Sequence, residues 1–251
     1  MSAPTANMQH VRGPDRQGAR IGLIGGMSWR STALYYERLN RAVEQRMGPH
    51  HSFEGVVWNL DYARLLASAV AGDWDRIDDM LCTAGRGLAQ AGCDYVVLTA
   101  VTVHRFSDSV AGASGRPVPH VLADAARKLD ELKVRKVGVL GTGATCASQF
   151  LGEYLGSAGR ELLLPDQARQ QQLDAMIQDV LTSGADTRSS VDLLEQSIAT
   201  LRGRGAQAIV LACTELPLLL PVPDVGVPVI DSVALHVETI CNLIKSDVHA
   251  G

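Results

Sequence analysis

Features that would indicate a nucleic-acid, membrane or metal-binding protein are missing from this sequence of 251 residues. The formal net charge is −4, the pI is about 6.0 and no block of like charges occurs, which argues against nucleic acid as a partner and against a polybasic membrane anchor. No apolar run approaches the roughly 20 residues that cross a bilayer. The five cysteines form no CxxC pair and no Cys/His zinc spacing, so we expect no metal and reduced thiols in the cytoplasm.

The N-terminal segment is polar, contains Pro and Gly, and lacks the apolar core of a secretory signal. We therefore expect residues 1–18 to be a disordered tail. The chain as a whole is 46% hydrophobic and 20% charged, which is typical of a soluble globular protein.

Short apolar runs alternate with longer segments of helical period along the chain. The runs predict strands at residues 20–25, 55–60, 94–99, 135–141, 160–164 and 207–212, and the longer segments predict helices at 30–47, 71–91, 119–132, 166–183 and 187–204. This alternation is typical of an α/β fold in which helices cover both faces of a parallel sheet. Ligands of such sheets bind beyond the carboxyl ends of the strands, so the residues after each run are candidates for a site.

The sequence also contains an internal repeat. Residues 21–39 (IGLIGGMSWRSTALYYERL) align without a gap with residues 137–155 (VGVLGTGATCASQFLGEYL), and residues 92–102 align in the same way with residues 205–215. We therefore predict two similar, pseudo-symmetric α/β lobes with parallel sheets and a site in the cleft between them. The first lobe would comprise residues 19–115 and 217–251, and the second lobe residues 116–216.

The second alignment pairs Ala100 with Cys213. Cys213 follows the strand-like run AIVLA and precedes Thr214 and Glu215. A thiol at a carboxyl strand end, beside a hydroxyl and a carboxylate, suits an acid–base role in which its surroundings set its pKa. The methyl group of Ala100 cannot take or give a proton.

Hydroxyl groups cluster at two predicted helix starts. Ser28 follows Gly25, Gly26 and Met27, and the repeat places Thr142 and Thr145 in a similar setting. Hydroxyls and backbone N–H groups at such a place suit an anionic ligand such as a carboxylate, although each cluster could be only a tight turn with an N-cap. The chain has no GxGxxG or Walker pattern, so we do not expect a nucleotide.

Four segments, in this order, resemble the aspartate/glutamate racemase superfamily. They are GGMSWRSTALYYERLN (residues 25–40), the strand end with Thr102 and His104, VGVLGTGAT (137–145) and LACTEL (211–216), and the GGMSW start is similar to a bacterial aspartate-racemase-like branch. The resemblance extends over about residues 20–245. It implies a two-lobed fold, a homodimer, and catalysis with neither pyridoxal phosphate nor a metal, by facing thiols that remove and return the α-proton of an amino acid.

The resemblance also implies a site with one thiol missing. Cys213 matches the second catalytic cysteine, whereas Ala100, Val101 and Thr102 stand where the family has Cys-Asn-Thr. We therefore predict Cys213 as the catalytic residue, with Ala100 at the position of the lost second thiol. The predicted substrate-binding residues are Met27, Ser28, Asp61, Thr102, Thr142, Thr145, Thr214 and Glu215.

Racemisation by two bases requires a proton donor on each face of the carbanion, so Ala100 favours a one-base isomerase, decarboxylase or lyase acting on a small carboxylate-bearing substrate. The arylmalonate decarboxylases are similar in keeping a single cysteine at the second position, and there the carbanion forms by loss of CO₂. Two alternatives stay open. One is an amino-acid racemase with a replacement base such as Cys146, and the other is a catalytically silent homologue that binds a small molecule.

Overall fold

A computed structural model describes residues 18–182, 188–220 and 225–246. The predicted tail, residues 1–18, lies outside the described residues apart from Gly18. The strands of the described part are β1 (Ile21–Gly25), β2 (Gly55–Asn59), β3 (Tyr95–Leu98), β4 (Lys136–Leu140), β5 (Glu161–Leu163), β6 (Ala208–Leu211) and β7 (Val229–Asp231).

The helices lie between and after these strands. They are α1 (Trp29–Met47), α2 (Tyr62–Val70), α3 (Trp74–Gln90), α4 (Ser107–Ser114), α5 (Ala123–Glu131), α6 (Gly143–Cys146), α7 (Gln149–Leu155), α8 (Gln167–Ala175), α9 (Arg188–Gly203) and α10 (Ser232–Ser246). Helix α8 continues into a π-helical segment (Met176–Leu181), and 3₁₀ turns occur at Thr102–Phe106, Ser157–Gly159 and Leu216–Leu219.

The strands form two parallel sheets, with the order β2-β1-β3 in the first and β5-β4-β6-β7 in the second. The predicted α/β fold with two similar parallel-sheet lobes is confirmed. All six predicted strands are present. The short β7 was not among them, and neither were α2, α4, α6 and α10 among the predicted helices, whereas α7 is the helix that the internal repeat predicted at the end of residues 137–155.

The internal repeat of the sequence is visible in the strand register. In the first sheet Ile21 of β1 pairs with Tyr95 of β3, and in the second sheet Val137 of β4 pairs with Ala208 of β6. These four residues are equivalent under the two gapless alignments. The repeat therefore matches the central strand pair of one lobe to that of the other, residue for residue.

Both faces of each sheet are covered by helices. In the first sheet the side chains of Ile21 and Leu23 lie in one apolar cluster, and Ile24 lies in the cluster on the opposite face. Because successive strand residues point to opposite faces and both faces are buried, these strands are apolar without interruption. The edge strand β2 differs, with most of its residues exposed.

The C-terminal part of the chain contacts both lobes. β7 pairs with β6 in the second sheet, whereas Val233, Val237 and Ile240 of α10 lie in the same apolar cluster as Tyr35 of α1. The lobe boundaries at residues 115 and 217 stay a prediction. Within residues 217–251, which were predicted as part of the first lobe, the strand β7 pairs with the second sheet.

The turn between β1 and α1 depends on glycine. Gly26 has a φ of 87°, a region that other residues rarely adopt, and a Cβ there would lie 2.0 Å from the carbonyl oxygen of Leu60. This close approach brings the end of β1 next to the residue that follows β2. It fixes the backbone that carries Met27 and Ser28.

A hydrogen-bonded threonine pair supports the same turn. Thr32 Oγ1 accepts from the Gly26 N–H at 2.9 Å and bonds the Ser28 carbonyl oxygen at 3.0 Å, and it lies 3.2 Å from Thr99 Oγ1. Thr99 in turn donates to the Ile24 carbonyl oxygen. These buried contacts tie the ends of β1 and β3 to the start of α1.

We predict that Thr32→Val lowers the free energy of unfolding by about 1–3 kcal/mol, because the isosteric change leaves the buried Gly26 N–H without its acceptor. Urea denaturation measures the loss. The control is Thr83→Val on the exposed face of α3, which should change stability by less than about 0.5 kcal/mol. Equal effects of the two substitutions would contradict the role given to Thr32.

Candidate active site

A cavity of about 170 Å³ lies at the carboxyl ends of the two sheets. Its wall includes residues that follow β1, β3, β4 and β6, together with α2, the start of α3 and the π-helical segment. The lining residues are Met27, Tyr62, Leu65, Leu66, Ala69, Trp74, Ile77, Ala100, Val101, Thr102, Val103, Thr142, Ala144, Ile177, Gln178, Thr182, Cys213, Thr214 and Glu215.

Ala100 and Cys213 both line this cavity. Each lies two residues beyond the last residue of its strand, Ala100 after β3 and Cys213 after β6. Both are largely buried, with exposed fractions of 9% and 4%. The two parallel sheets thus present a methyl group from one lobe and a thiol from the other to a single space.

The Glu215 carboxylate lies at the centre of the hydrogen bonds around the thiol. Cys213 Sγ donates to Glu215 Oε2 at 3.2 Å, and Thr214 Oγ1 donates to the same oxygen at 2.9 Å. Ser28 Oγ donates to Oε1 at 2.9 Å from the start of α1. One buried carboxylate therefore links a residue that follows β1 with two that follow β6.

The surroundings of Cys213 favour the protonated thiol. Burial raises the pKa of Cys213 well above its ordinary value, and the negative charge of Glu215 raises the pKa further. The backbone N–H groups of Glu215 and Leu216 oppose this effect only in part. At neutral pH the group that faces the cavity is a neutral S–H, which is a proton donor.

Three threonine hydroxyls form a second polar cluster. Thr102 Oγ1 lies 2.8 Å from Thr145 Oγ1 and 3.3 Å from Thr142 Oγ1, and the last two are 3.1 Å apart. Thr102 and Thr142 line the cavity, whereas Thr145 is buried beside them. Thr142 is also the N-cap of α6, where its Oγ1 accepts from the Thr145 N–H. The tight turn with an N-cap, which the sequence left open as an alternative to anion binding, is therefore present at this residue.

The other predicted binding residues occupy different places. Met27 lines the cavity, and Ser28 is buried with its hydroxyl on Glu215 and makes no side-chain cap on α1. Asp61 is exposed and is the N-cap of α2, where it accepts from the Ala63 N–H, and it lies in a surface depression with Trp58. The structure therefore brings Asp61 to a capping position and not to the central cavity.

Cys146, His104 and His236 are not among the residues that line the cavity. Among the described residues that line the cavity, Cys213 is the one cysteine. Cys146 ends α6, and burial raises its pKa to about 12. His236 bonds Tyr35 and the Pro119 carbonyl oxygen, and His104 bonds the Leu98 carbonyl oxygen, so both are held within the core.

The prediction from sequence missed the apolar wall of the cavity. Tyr62, Leu65 and Leu66 come from α2, Ile77 comes from α3, and Ile177 comes from the π-helical segment. The signal was available in part, since Asp61 before YARLLASAV is an N-cap pattern followed by apolar residues at helical spacing. A nine-residue helix gives too short a pattern to show which face meets the cavity.

No group of three or more His, Cys, Asp or Glu side chains suited to a metal ion occurs within residues 18–182, 188–220 and 225–246. In the same residues, no helix combines the length and the apolar character needed to cross a membrane.

The fold and the cavity define a class of protein: two facing α/β lobes of parallel strands, with an acid–base thiol candidate at a strand end in the cleft. The sequence profile of the Asp/Glu/Hydantoin racemase family matches residues 24–240. The chain belongs to this family, and the resemblance stated from its motifs is confirmed.

Individual relatives agree with this placement. The chain is 22% identical over 224 residues to the broad specificity amino-acid racemase RacX of Bacillus subtilis, a match that covers 85% of this chain and 93% of that protein. A candidate Asp/Glu racemase from Yersinia pestis is 32% identical, with a TM-score of 0.79 and coverage of 89% of this chain and 98% of the other. Unliganded arylmalonate decarboxylase shares the fold, with 17% identity, a TM-score of 0.50 and coverage of 90% and 93%.

We predict that Glu215→Gln makes Cys213 react several-fold faster with iodoacetamide between pH 7 and 9. Removing the negative charge lowers the pKa of the thiol and raises the fraction of thiolate, which is the reactive form. Mass spectrometry of the modified Cys213 peptide measures the rate. The matched control is Glu161→Gln at the exposed first residue of β5, which should leave the rate unchanged, and an unchanged rate in Glu215→Gln would show that its charge does not govern the thiol.

Proposed function

We propose that this protein is a cofactor-independent enzyme in which Cys213 transfers a proton at the carbon α to a carboxylate, on one face of that carbon only. The observation that carries the proposal is the pairing in one cavity of a buried, protonated thiol with the methyl group of Ala100. Membership of a racemase family supports proton transfer as the type of chemistry. Ala100 supports a one-base variant of isomerase, decarboxylase or lyase type.

The protonation state of Cys213 favours giving a proton over taking one. A base that removes an α-proton must be a thiolate, and cations or protonated histidine beside a thiol normally stabilise that form. Among the described residues that line the cavity, none is Lys, Arg or His, and the charged neighbour is the carboxylate of Glu215. The neutral thiol is suited to protonating a carbanion that has formed by another route.

Decarboxylation of a substituted malonate is one such route. The bond between the α-carbon and one carboxyl carbon breaks, CO₂ leaves, and the electron pair stays on the α-carbon as an enolate of the remaining carboxylate. The Cys213 S–H bond then breaks, its proton forms the new C–H bond, and the thiolate is reprotonated from solvent. A double-bond isomerase would need Cys213, as the thiolate, to take a proton from one carbon and then return it to another carbon on the same face.

Hydroxyl groups are the candidates for binding the carboxylate. Thr102, Thr142 and Thr214 line the cavity near the thiol, and preorganised donors of this kind stabilise negative charge that develops in a water-poor site. The threonines also bond one another or Glu215. We propose that a bound carboxylate takes over some of these bonds.

An amino-acid racemase with a replacement base remains a second candidate, since RacX is a racemase that acts on amino acids. It would require another acid–base group on the side of Ala100. The structure offers little support for Cys146 in this role, because its side chain is not among those that line the cavity.

We predict that Cys213→Ser lowers turnover by about 10²–10⁴-fold, because a hydroxyl is a much weaker acid than a thiol and general acid catalysis contributes a factor of this size. Cys146→Ser should have little effect. The measurement is deuterium incorporation at the α-carbon, by mass spectrometry, for a panel of monosubstituted malonates and amino acids in deuterium oxide. Equal losses in the two variants would favour the replacement-base racemase, and no incorporation by the wild-type protein would favour a binding protein without catalysis.

We predict that Ala100→Cys introduces racemising activity. The substitution supplies a thiol at the repeat-equivalent position, so a proton can be exchanged on both faces of the α-carbon. With a malonate whose α-carbon carries a methyl group and a second substituent, so that its decarboxylation product has a stereocentre at the α-carbon, chiral chromatography should show one enantiomer from the wild-type protein and loss of stereochemical purity from the variant. Ala69→Cys, which adds a thiol to the α2 wall of the same cavity, is the control and should preserve the single enantiomer.

A further inference from the structure

The cavity has two chemically different halves. The residues that follow β4 and β6 place hydroxyls, the Cys213 thiol and the Glu215 carboxylate at one side. The other side consists of α2, the start of α3 and the π-helical segment with its end. It contributes mainly aliphatic and aromatic side chains, Tyr62, Leu65, Leu66, Ala69, Trp74, Ile77 and Ile177, and two polar ones, Gln178 and Thr182. Any substrate whose reacting carbon lies at the thiol must place another of its groups against this second side.

We propose that the substrate carries a neutral, apolar substituent of up to about six carbons on its α-carbon, bound against α2 and α3. The inference rests on the proposed function for the carboxylate and the reacting carbon, and it adds the class of the remaining group. A charged substituent finds no charged side chain among the lining residues of α2 and α3, and the polar Gln178 and Thr182 belong to the π-helical segment and its end. Burying an ionised group without a partner costs far more free energy than apolar contacts in the cavity contribute.

The residue that follows Ala100 agrees with this class. Val101 follows Ala100 directly, lines the cavity and has an exposed fraction of 2%. It offers methyl groups and no hydrogen-bonding atom to the ligand. An apolar group therefore finds contact on the β3 side as well as on the helical side.

The size limit comes from the volume. An apolar cavity of about 150 Å³ in another protein binds benzene. The cavity here is about 170 Å³, and part of that space is needed for the carboxylate. A branched alkyl group or a single six-membered ring fits such a space, whereas a fused ring system exceeds it.

Small carboxylates that cannot react serve as probes of this preference. The comparison is acetate, 3-methylbutanoate and phenylacetate against succinate, with dissociation constants from isothermal titration calorimetry for the wild-type protein. We expect 3-methylbutanoate and phenylacetate to bind at least about tenfold more tightly than acetate or succinate, since a single methylene in an apolar pocket is worth about tenfold or more. Succinate binding as tightly as phenylacetate, or no binding of either apolar probe at millimolar concentration, would overturn the inference.

A pair of variants on α2 tests the location. Leu66 lines the cavity and is 37% exposed, and Val70, one turn further along the same helix, is 83% exposed and lies outside the lining. Leu66→Asn should weaken phenylacetate binding about fivefold or more and leave succinate unchanged, while Val70→Asn should alter neither. An equal effect of both substitutions would place the apolar group elsewhere and overturn the assignment.

The Cys213→Ala variant separates this inference from the proposed function. Probe binding needs no proton transfer, so the apolar preference should persist in Cys213→Ala. If the preference persists but the wild-type protein shows no thiol-dependent deuterium incorporation, the proposed chemistry fails and the binding preference stands. If deuterium incorporation depends on Cys213 but succinate is preferred, the chemistry stands and the apolar class is wrong.

Discussion

The arrangement of the site depends on one buried carboxylate. An ionised carboxylate away from water is stable only when donors satisfy its oxygens, and Glu215 receives three hydrogen bonds, from Ser28, Thr214 and Cys213. Ser28 follows the first strand of one sheet, and the other two residues follow β6 of the second. The cost of burying this charge is therefore offset only when the two lobes face each other in this arrangement and the thiol points at the carboxylate.

The same charge favours the protonated form of the thiol. Positive charge beside a cysteine stabilises its thiolate, whereas here the nearest charge is negative and the surroundings are apolar. Both influences act in one direction and hold the proton on sulfur. With Ala100 at the equivalent place in the other lobe, the site combines one proton donor with no second acid–base group at the matching position.

The sequence predicted the half of the site that depends on backbone register. A gapless repeat and strand-like runs placed Ala100 and Cys213 at matching strand ends, and parallel pairing brings such ends to the same edge. Asp61 also follows a strand, but its carboxylate caps α2. Cys146 comes directly after Thr145 in sequence, yet successive residues of a helical turn point in different directions. The Thr145 hydroxyl bonds Thr102, which lines the cavity, whereas Cys146 is not among the lining residues. These outcomes depend on local turn chemistry and helix direction, which runs of apolar residues do not specify.

The apolar wall of the cavity, which the sequence did not predict, is formed by helix packing. This wall bears on stereochemistry as much as on affinity. A single proton donor fixes which face of the α-carbon is protonated only if the substrate cannot turn over within the cavity. Hydroxyls at one side and apolar side chains at the other distinguish the carboxylate from the remaining substituent, so only one orientation satisfies both. In a symmetric two-thiol site either face can be protonated, and orientation matters less to the outcome. In the one-base enzyme that we propose, with Ala100 in place of a second donor, the packing of α2 and α3 against the strand ends would determine the configuration of the product.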